Sequence, residues 1–334
     1  MKRTKLFAGA ALLALMASGA AAETFKMQTF LGATAATTKA FEDMAAQLKA
    51  DTGGEVDIQV FPSGAVVGPT ETLEAVRNGL LDGHYTGPTF FAGVDPAFAV
   101  LGDTLSAYPN TDVRDKWFVE GGGLELGRAL YAKYDMHMIC TVHWPQEQIP
   151  STVPIRSVDD FQGIKIRAPG GLPSDLLTRA GASLVNLTPG DAISALETGV
   201  LDASDLANVG LNMAFGMYQN APYSIFARHS MPVTEMSVSM AKWNGLSDDA
   251  KAKFEAACQT LSATLETTLG EQEIAAIEKA KSELNVEFIE FGEADAEKFR
   301  NMLLEVWDDW GGRNGDAQAI VDSHKAYMSS LGIL

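Results

Sequence analysis

An arginine at the end of an apolar strand pattern has the clearest chemical potential in this sequence. Arg167 closes the stretch GIKIR, residues 163–167, and Ala-Pro-Gly-Gly follows before a helical pattern. In α/β proteins, ligands bind at the carboxyl edge of a sheet, which is where such an arginine would lie. Its planar guanidinium can form two parallel hydrogen bonds to a carboxylate, so this position predicts recognition of an organic acid.

Motifs for catalysis and for metal binding are missing. The sequence contains no G-x-S-x-G, P-loop or H-E-x-x-H motif, and the glycines at 121–123 lack the spacing of a dinucleotide fingerprint. The histidines show no metal-ligand spacing; they are His84, His137, His143, His229 and His324. We therefore expect a protein that binds a ligand without making or breaking a covalent bond.

A short stretch occurs twice. "RNGLLDGHY" at 77–85 and "ETGVLDASD" at 197–205 share a Gly-x-Leu-Asp turn, and the match extends back to Pro69 and Pro189. The pattern predicts a helix that ends at a glycine and leads into a short strand, once in each of two similar lobes. We interpret Asp82 and Asp202 as scaffold residues that hold backbone groups.

Strand and helix patterns alternate along the chain, which predicts parallel sheets covered by helices. Strands are expected at 25–32, 56–60, 136–144, 163–167 and 182–187, and helices at 38–49, 69–78, 95–135, 189–198 and 293–331. Ser174 is expected to cap a helix. Ser247 should cap a much longer one that continues to 284 and, at ~1.5 Å per residue, exceeds the width of one lobe.

The amino terminus and the composition favour an exported protein. Residues 1–22 have the charged, apolar and small-residue order of a secretory signal peptide, which predicts a periplasmic location. With 43 acidic and 25 basic residues, the formal net charge is −18, which argues against nucleic acid or anionic membrane as a partner. Cys140 and Cys258 could pair in an oxidising compartment, but we favour two buried thiols.

Several segments together resemble a known family. "AVRNGLLDG", "SVDDFQGIKIRAPG", "NLTPGDAISALETGVLDAS" and the long late helix follow, in order, the pattern of periplasmic solute-binding proteins of TRAP transporters, the DctP family. The resemblance implies an α/β, two-lobed periplasmic binding protein fold with hinge strands and a long spine helix across both lobes. It also implies closure on an organic acid whose carboxylate meets Arg167, and delivery to membrane permease subunits.

The domain organisation that follows places the signal peptide at 1–22. Lobe I would comprise 23–145 plus about 235–265, and lobe II 146–234 plus about 285–310. The spine helix, 247–284, would be shared by both lobes, and 311–334 would form C-terminal helices. We expect a monomer.

The ligand class is predicted from a departure from the family pattern. Members that bind dicarboxylates or sialic acid often carry a second arginine upstream, where this chain offers Gln146 or Gln148. In this it is similar to binders of 2-oxo and 2-hydroxy monocarboxylates, some of which use a metal ion. Their acidic stretches are replaced here by "IFARHSMPVTEM" and by Asp205-Leu206, so we expect no cofactor, and a ligand-bridging metal ion is a disfavoured alternative.

Further ligand-lining candidates come from loops at strand ends, and core packing is the alternative for each. They are Phe30, Thr86, Phe90, Phe91, Trp144, Asn208 and His229. The function predicted is that of a receptor for a small organic monocarboxylate. A sugar acid, an aromatic acid or a dicarboxylate is the alternative within the family, and a periplasmic enzyme or a sensor-coupled receptor is the alternative outside it.

Overall fold

The computed structural model describes residues 23–334, so the signal peptide predicted at 1–22 lies outside the described residues. Through residue 142 the elements are β1 (Glu23–Thr29), α1 (Ala36–Asp51), β2 (Val56–Phe61), α2 (Thr72–Arg77), β3 (Gly83–Thr86), α3 (Pro96–Gly102), α4 (Thr111–Glu120), α5 (Gly123–Ala132) and β4 (Met136–Val142). The middle of the chain forms β5 (Ile149–Ser151), β6 (Lys165–Arg167), α6 (Gly171–Arg179), β7 (Ser183–Leu184), α7 (Pro189–Glu197), β8 (Ala203–Ser204), α8 (Val209–Ala214) and β9 (Tyr223–Phe226). The last part forms β10 (Thr234–Ser239), α9 (Met240–Gly245), α10 (Asp248–Leu284), β11 (Glu287–Glu290), α11 (Glu293–Gly311) and α12 (Gly315–Ser330). Short 3-10 helices cover Pro69–Glu71, Pro88–Phe91, Leu105–Ala107, Val158–Phe161 and Met217–Gln219.

The described strands form two sheets, each the centre of one lobe. The first sheet has the order β2-β1-β3-β10-β4, and the second has the order β11-β9-β5-β8-β6-β7. The prediction of parallel sheets is wrong for one strand in each: β10 runs antiparallel to β3 and β4, and β5 runs antiparallel to β8 and β9. Both strands begin directly after the chain has crossed from the other sheet, which reverses their direction.

We call residues 143–148 and 227–233 the crossover segments. The first joins β4 to β5 and the second joins β9 to β10. Strand pairing makes β4 parallel to β3, and β9 parallel to β8 and β6. Both crossover segments therefore connect the carboxyl-end edge of one sheet with the same edge of the other, the location at which α/β folds bind ligands. The lobe boundaries given above remain a prediction.

The repeated stretch is the same structural device in both lobes. Gly79 and Gly199 end their helices with φ of 71° and 72°, a left-handed conformation that suits glycine. Asp82 Oδ2 accepts a hydrogen bond of 2.9 Å from the Lys26 amide, and Asp202 Oδ2 accepts one of 2.8 Å from the Lys165 amide. The interpretation of both aspartates as scaffold is confirmed, since each fastens its turn to the neighbouring strand.

Helix α10 is the long shared helix predicted from the sequence. It spans 37 residues, and the Ser247 side chain caps its first turn by accepting a hydrogen bond from the Ala250 amide. Its buried stripe faces β4 and α1 in the first lobe, and its later turns contact α8 of the second. Each large apolar side chain fully buried in this way contributes about 1.5–3 kcal/mol. No helix among the described residues is long and apolar enough to span a membrane.

Ser174 does not cap a helix as predicted. Helix α6 begins earlier, at Gly171, so Ser174 lies within its first turn, and its hydroxyl accepts a hydrogen bond of 2.9 Å from the Gly170 amide. Gly170 and Gly171 adopt φ of 91° and 65°, so the turn that follows Arg167 is completed by glycines rather than by a capping side chain.

The interpretation of the two cysteines as free thiols is also wrong. Cys140 in β4 and Cys258 in α10 form a disulfide, and both residues are buried. Their separation in the sequence concealed the pairing. Because α10 packs along β4, the two side chains meet in the core of the first lobe.

We predict that the double variant Cys140→Ala/Cys258→Ala will lose about 2–5 kcal/mol of unfolding free energy, because the disulfide closes a long loop in the unfolded chain. Urea denaturation followed by circular dichroism would measure the change. Reduced wild-type protein is the control, since it lacks the cross-link but keeps both sulfur atoms in the core. A variant with unchanged stability would contradict the prediction.

Candidate functional site

Polar residues from both crossover segments and from two strand ends of the second sheet meet at one place. Arg167 is the last residue of β6, and Asp205 follows β8. Glu147 lies on the first crossover segment and His229 on the second. The structure thus brings Arg167 and His229, two of the residues predicted from the sequence, to opposite sides of Asp205.

Arg167 is only 8% exposed, and part of its guanidinium is already bonded. Its Nη1 donates to the Asp205 carbonyl at 2.6 Å, and its Nε donates to the Leu187 carbonyl at 3.3 Å. Among the described residues, no hydrogen bond is formed by Nη2. Burial lowers the pKa of Arg167, while the charges of Asp205 and Glu147 oppose that shift. The side chain is therefore fixed in position and has donor capacity left for an anion.

Three carboxyl groups surround the second crossover segment. Asp205 Oδ1 pairs with His229 Nε2 at 2.9 Å, and both residues are fully buried. The Ser230 hydroxyl lies 2.7 Å from Asp103 Oδ2 and 3.0 Å from Glu147 Oε2. Since a hydroxyl has one proton, it cannot donate to both carboxylates at once. Either Glu147 or Asp103 must then be protonated for the contacts to be favourable.

The electrostatics favour Glu147 over Asp103 as the group that carries the proton. Burial raises the pKa of Glu147 well above its ordinary value, and the nearby charges of Asp205 and Asp103 raise it further. Burial also raises the pKa of Asp103, to about 6, but two backbone amides and Ser230 donate to that carboxylate and limit the shift. A neutral Glu147 carboxyl can act as a hydrogen-bond donor inside the site.

Glu147, Asp205 and His229 also form a possible metal site. Glu147, Asp205 and His229 each offer one ligand atom, and these atoms lie within 4.8 Å of one another. Carboxylate oxygens with an imidazole nitrogen are acceptable ligands for several divalent cations. However, His229 Nε2 is paired with Asp205 Oδ1 and Glu147 Oε2 with Ser230, so two of the three residues use ligand atoms on each other. The arrangement fits a proton better than a resident metal.

The two glutamines differ in position. Gln148 is buried, and its backbone amide donates to the Ala207 carbonyl at 3.1 Å. Its side-chain Oε1 has no hydrogen-bond partner within residues 23–334. Gln146 is half-buried on the same crossover segment. An unpaired buried amide oxygen is costly in a protein interior, so Gln148 is the glutamine with an unmet acceptor.

Asn208 is engaged within the protein. Its Oδ1 accepts from the Leu211 amide, and its Nδ2 donates to Glu273 Oε2 of α10 at 2.8 Å. Glu273 also accepts hydrogen bonds from the Val209 and Gly210 amides, so it fastens α8 to the long helix. These contacts give Asn208 a structural role in this conformation.

The aromatic candidates separate into a wall and a core residue. Phe30 packs edge-on against Trp144, with ring centroids 5.2 Å apart, and Phe90 lies 6.1 Å from Phe30. Phe91 is instead fully buried against His84 and Phe98, so the structure places it in the core of the first lobe. Thr86 is buried at the end of β3, and its hydroxyl has no partner in the described part of the chain.

A cavity of about 300 Å³ lies between the lobes beside the aromatic wall. Leu31, Thr37 and Trp144 line it from the first lobe and the first crossover segment, and Asn208 and Leu211 line it from the second lobe. Its lining is mainly apolar, which is typical of ligand clefts that use a few polar groups for specificity.

Sequence reasoning missed Glu147 and Asp103. Glu147 lies between the two glutamines that were singled out, and it is the one ionisable residue between His143 and Arg156. That isolation is a signal that could have identified it. Asp103 carried no comparable signal, because its role depends on the second crossover segment, which arrives from more than a hundred residues later in the chain.

Comparison with known proteins agrees with this geometry. Residues 27–313 match the family model for DctP, bacterial extracellular solute-binding protein family 7. This chain belongs to the DctP family. The family and the fold are those of transport receptors that bind a solute.

Several relatives resemble this DctP protein along much of its length. A TRAP periplasmic solute-binding protein from Rhodobacter sphaeroides, solved in an apo open form, is 30% identical, with a TM-score of 0.83 over 93% of this chain and 99% of that one. The monocarboxylate 2-oxoacid-binding periplasmic protein of a Nostoc species is 26% identical over 69% of this chain, and the match spans 61% of that relative's length. A TRAP solute-binding protein from Bordetella bronchiseptica, a mixed-occupancy dimer with copurified calcium and picolinate in one site, is 24% identical, with a TM-score of 0.77 over 92% of each chain.

We predict that this DctP protein retains no stoichiometric metal after dialysis against a chelator and return to buffer containing calcium and zinc. The reason is that Glu147 Oε2 and His229 Nε2 already have protein partners, which leaves His229 Nδ1 and Asp205 Oδ2 as the buried atoms of the cluster without one among the described residues. Elemental analysis by mass spectrometry would measure the bound metal, with Glu147→Gln as the matched control. One equivalent of metal in the wild type that disappears in the variant would contradict the prediction and identify the cluster as a cation site.

Proposed function

We propose that this protein is the periplasmic receptor of a TRAP transporter, that it binds a small organic monocarboxylate between its lobes, and that it delivers the acid to a membrane permease. A 2-oxo or 2-hydroxy acid is favoured. The observation that carries the proposal is the position of Arg167, a buried guanidinium at the carboxyl edge of the second sheet with Nη2 unbonded among the described residues. The membership of the DctP family and the periplasmic relatives support it.

The ligand carboxylate is assigned to Arg167. Buried charge-assisted hydrogen bonds are about twice as strong as neutral ones, and the two carbonyl contacts of Arg167 hold its plane before the ligand arrives. A preorganised donor binds more tightly because less side-chain freedom is lost on binding. The same contacts oblige the ligand to approach from the side of Nη2.

The number of carboxylates in the ligand follows from the surrounding charges. Asp103, Glu147 and Asp205 lie close together beside Arg167. A second ligand carboxylate would have to be desolvated near these groups without a cation of its own, and an unpaired buried charge costs several kcal/mol. The site therefore favours one carboxylate over two.

A neutral oxygen next to the carboxylate suits the remaining donors. The protonated Glu147 carboxyl and the side-chain amide of Gln148 can each donate a hydrogen bond to a keto or hydroxyl oxygen. A 2-oxo or 2-hydroxy acid has such an oxygen on the carbon next to its carboxylate. Sugar acids and aromatic acids are the alternatives that a ligand screen must include.

We predict that Arg167→Lys will weaken binding of pyruvate, used here as the probe acid, by roughly 30-fold or more, since losing one partner of a desolvated charge pair costs about 2–5 kcal/mol. A lysine ammonium cannot reproduce the planar guanidinium. Isothermal titration calorimetry would measure the affinity. Arg179→Lys is the matched control, because Arg179 lies in the same lobe and pairs with Glu305 and Asp309 on the surface.

The control variant should bind like the wild type, and both variants should keep most of their thermal stability. Arg167→Lys should lose a small part of it, because the contact with the Leu187 carbonyl is removed. Wild-type affinity in Arg167→Lys would remove Arg167 from the binding site.

A second prediction concerns ligand charge. Protein stripped of copurified ligand should bind pyruvate at least tenfold more tightly than succinate, a difference of about 1.4 kcal/mol. The reason is that the second carboxylate of succinate would meet Asp205 or Asp103 without a cationic partner. Competition calorimetry would measure both affinities, and glucuronate and picolinate would test the sugar-acid and aromatic-acid alternatives in the same series. Submicromolar binding of succinate together with no response to pyruvate would contradict the ligand assignment.

A further inference from the structure

A second buried arginine binds both crossover segments. Arg114 lies in α4 of the first lobe and is completely buried. Its Nη1 donates to the Trp144 carbonyl of the first crossover segment at 2.9 Å and to the Pro232 carbonyl of the second at 2.7 Å. One guanidinium nitrogen thus fastens the two segments to the same helix, at the ends nearest the first sheet.

The orientation of Arg114 is itself fixed. Asp115 Oδ1 accepts a hydrogen bond from Arg114 Nε at 2.7 Å and forms an ion pair with Nη2 at 2.7 Å, while its Oδ2 pairs with His143 Nδ1 at 2.9 Å. Burial raises the pKa of Asp115, but Arg114 and His143 outweigh burial and hold it below its ordinary value. Asp115 therefore stays ionised and keeps the guanidinium in place.

Helix α10, the third connection between the lobes, contacts the same cluster. The His143 backbone amide donates to Ser262 Oγ of α10 at 2.9 Å. Both crossover segments and the long shared helix are thus joined around Arg114, Asp115 and His143. The contacts of this cluster are with the connections between the lobes.

We infer that Arg114 is a positioning residue for lobe closure. By holding Trp144 and Pro232 to α4, it fixes the first-lobe ends of both segments. Arg228, Ser230 and Met231 continue this anchoring through contacts with Ser106 and Asp103, so bending is left to 145–148 and to residue 227. The anchored segments carry Glu147, His229 and Ser230, so the same restraint sets where these groups stand relative to the first lobe. The inference concerns the geometry of the ligand-free protein, and it rests on the proposed receptor function only for its effect on binding.

The second crossover segment is held to the first lobe as far back as Arg228. Arg228 adopts a φ of 56°, a left-handed conformation that a residue with a side chain rarely takes. Its carbonyl accepts a hydrogen bond of 2.6 Å from Ser106 Oγ of the first lobe. The part of this segment that is left to bend therefore lies between Arg228 and the end of β9 at Phe226.

The chain contains a matched control for this role. Arg128 also donates to two backbone carbonyls, those of Met138 and Ile139, and pairs with Glu255. Its partners lie in β4 and α10, so it does not contact a crossover segment. Arg128 is 32% exposed, so it controls for the arginine-to-carbonyl bonds and not for complete burial. Loss of such bonds should affect the stability of both variants, while an effect on lobe orientation should belong to Arg114 alone.

The test measures the distance between lobes in the absence of ligand. Spin labels at Ala50→Cys in α1 and Glu197→Cys in α7, both exposed positions, would report it by double electron–electron resonance. We expect Arg114→Lys to broaden the ligand-free distance distribution roughly twofold, because a lysine ammonium cannot hold both carbonyls and Asp115 in one plane. Asp115→Asn should broaden it less, and Arg128→Lys should leave it unchanged.

Pyruvate binding gives the second measurement. Arg114→Lys should bind pyruvate more weakly than Arg128→Lys, because a protein with a wider range of open conformations loses more conformational freedom when it closes on the ligand. An unchanged distance distribution in Arg114→Lys, or equal broadening in Arg128→Lys, would overturn the inference. Should Arg114→Lys fail to fold, Asp115→Asn decides in the same way. If pyruvate does not bind the wild type, the ligand assignment fails while the distance measurement still stands.

Discussion

Two short crossover segments determine the architecture of this protein, because the chain must pass between its two sheets at one edge of each. Strands β5 and β10 follow the crossings and therefore run antiparallel to their neighbours. The reversal brings the carboxyl ends of the remaining strands towards the gap between the lobes. Arg167, Thr86 and Asp205 all stand at such strand ends, so the candidate site is a consequence of how the lobes are connected.

The proposed function requires an acidic protein to hold an anion. The whole chain has a formal net charge of −18, and the charges of Asp205 and Glu147 act on Arg167. Burial reduces the conflict locally: it raises the pKa of Glu147, which favours the neutral form, and it shields Arg167 from competing water. Selectivity then depends on the few polar atoms within the cleft, and the field of the surface matters less.

The fold was largely predictable because its signals are local. Helical spacing, the cap at Ser247 and the repeated glycine turns each depend on a few neighbouring residues, and the structure confirms them. Arg167 was singled out because it ends a strand. The disulfide, Glu147 and the antiparallel strands depend on which distant segments meet, and no local pattern encodes that. For Phe91 the structure shows the core packing that was the stated alternative for each loop candidate.

The order of strands in the first sheet has a consequence for assembly. Strand β10 lies between β3 and β4, so these two earlier strands cannot be joined in one sheet until residues 234–239 have been synthesised. Strands β5 to β9 of the second sheet are contiguous in the chain and can pair before that point. In a chain that emerges from its amino terminus, the later-numbered lobe can therefore complete most of its sheet while the earlier one still exposes two unpaired strand edges. Such edges are prone to aggregation, so a holding chaperone would be needed most during this interval.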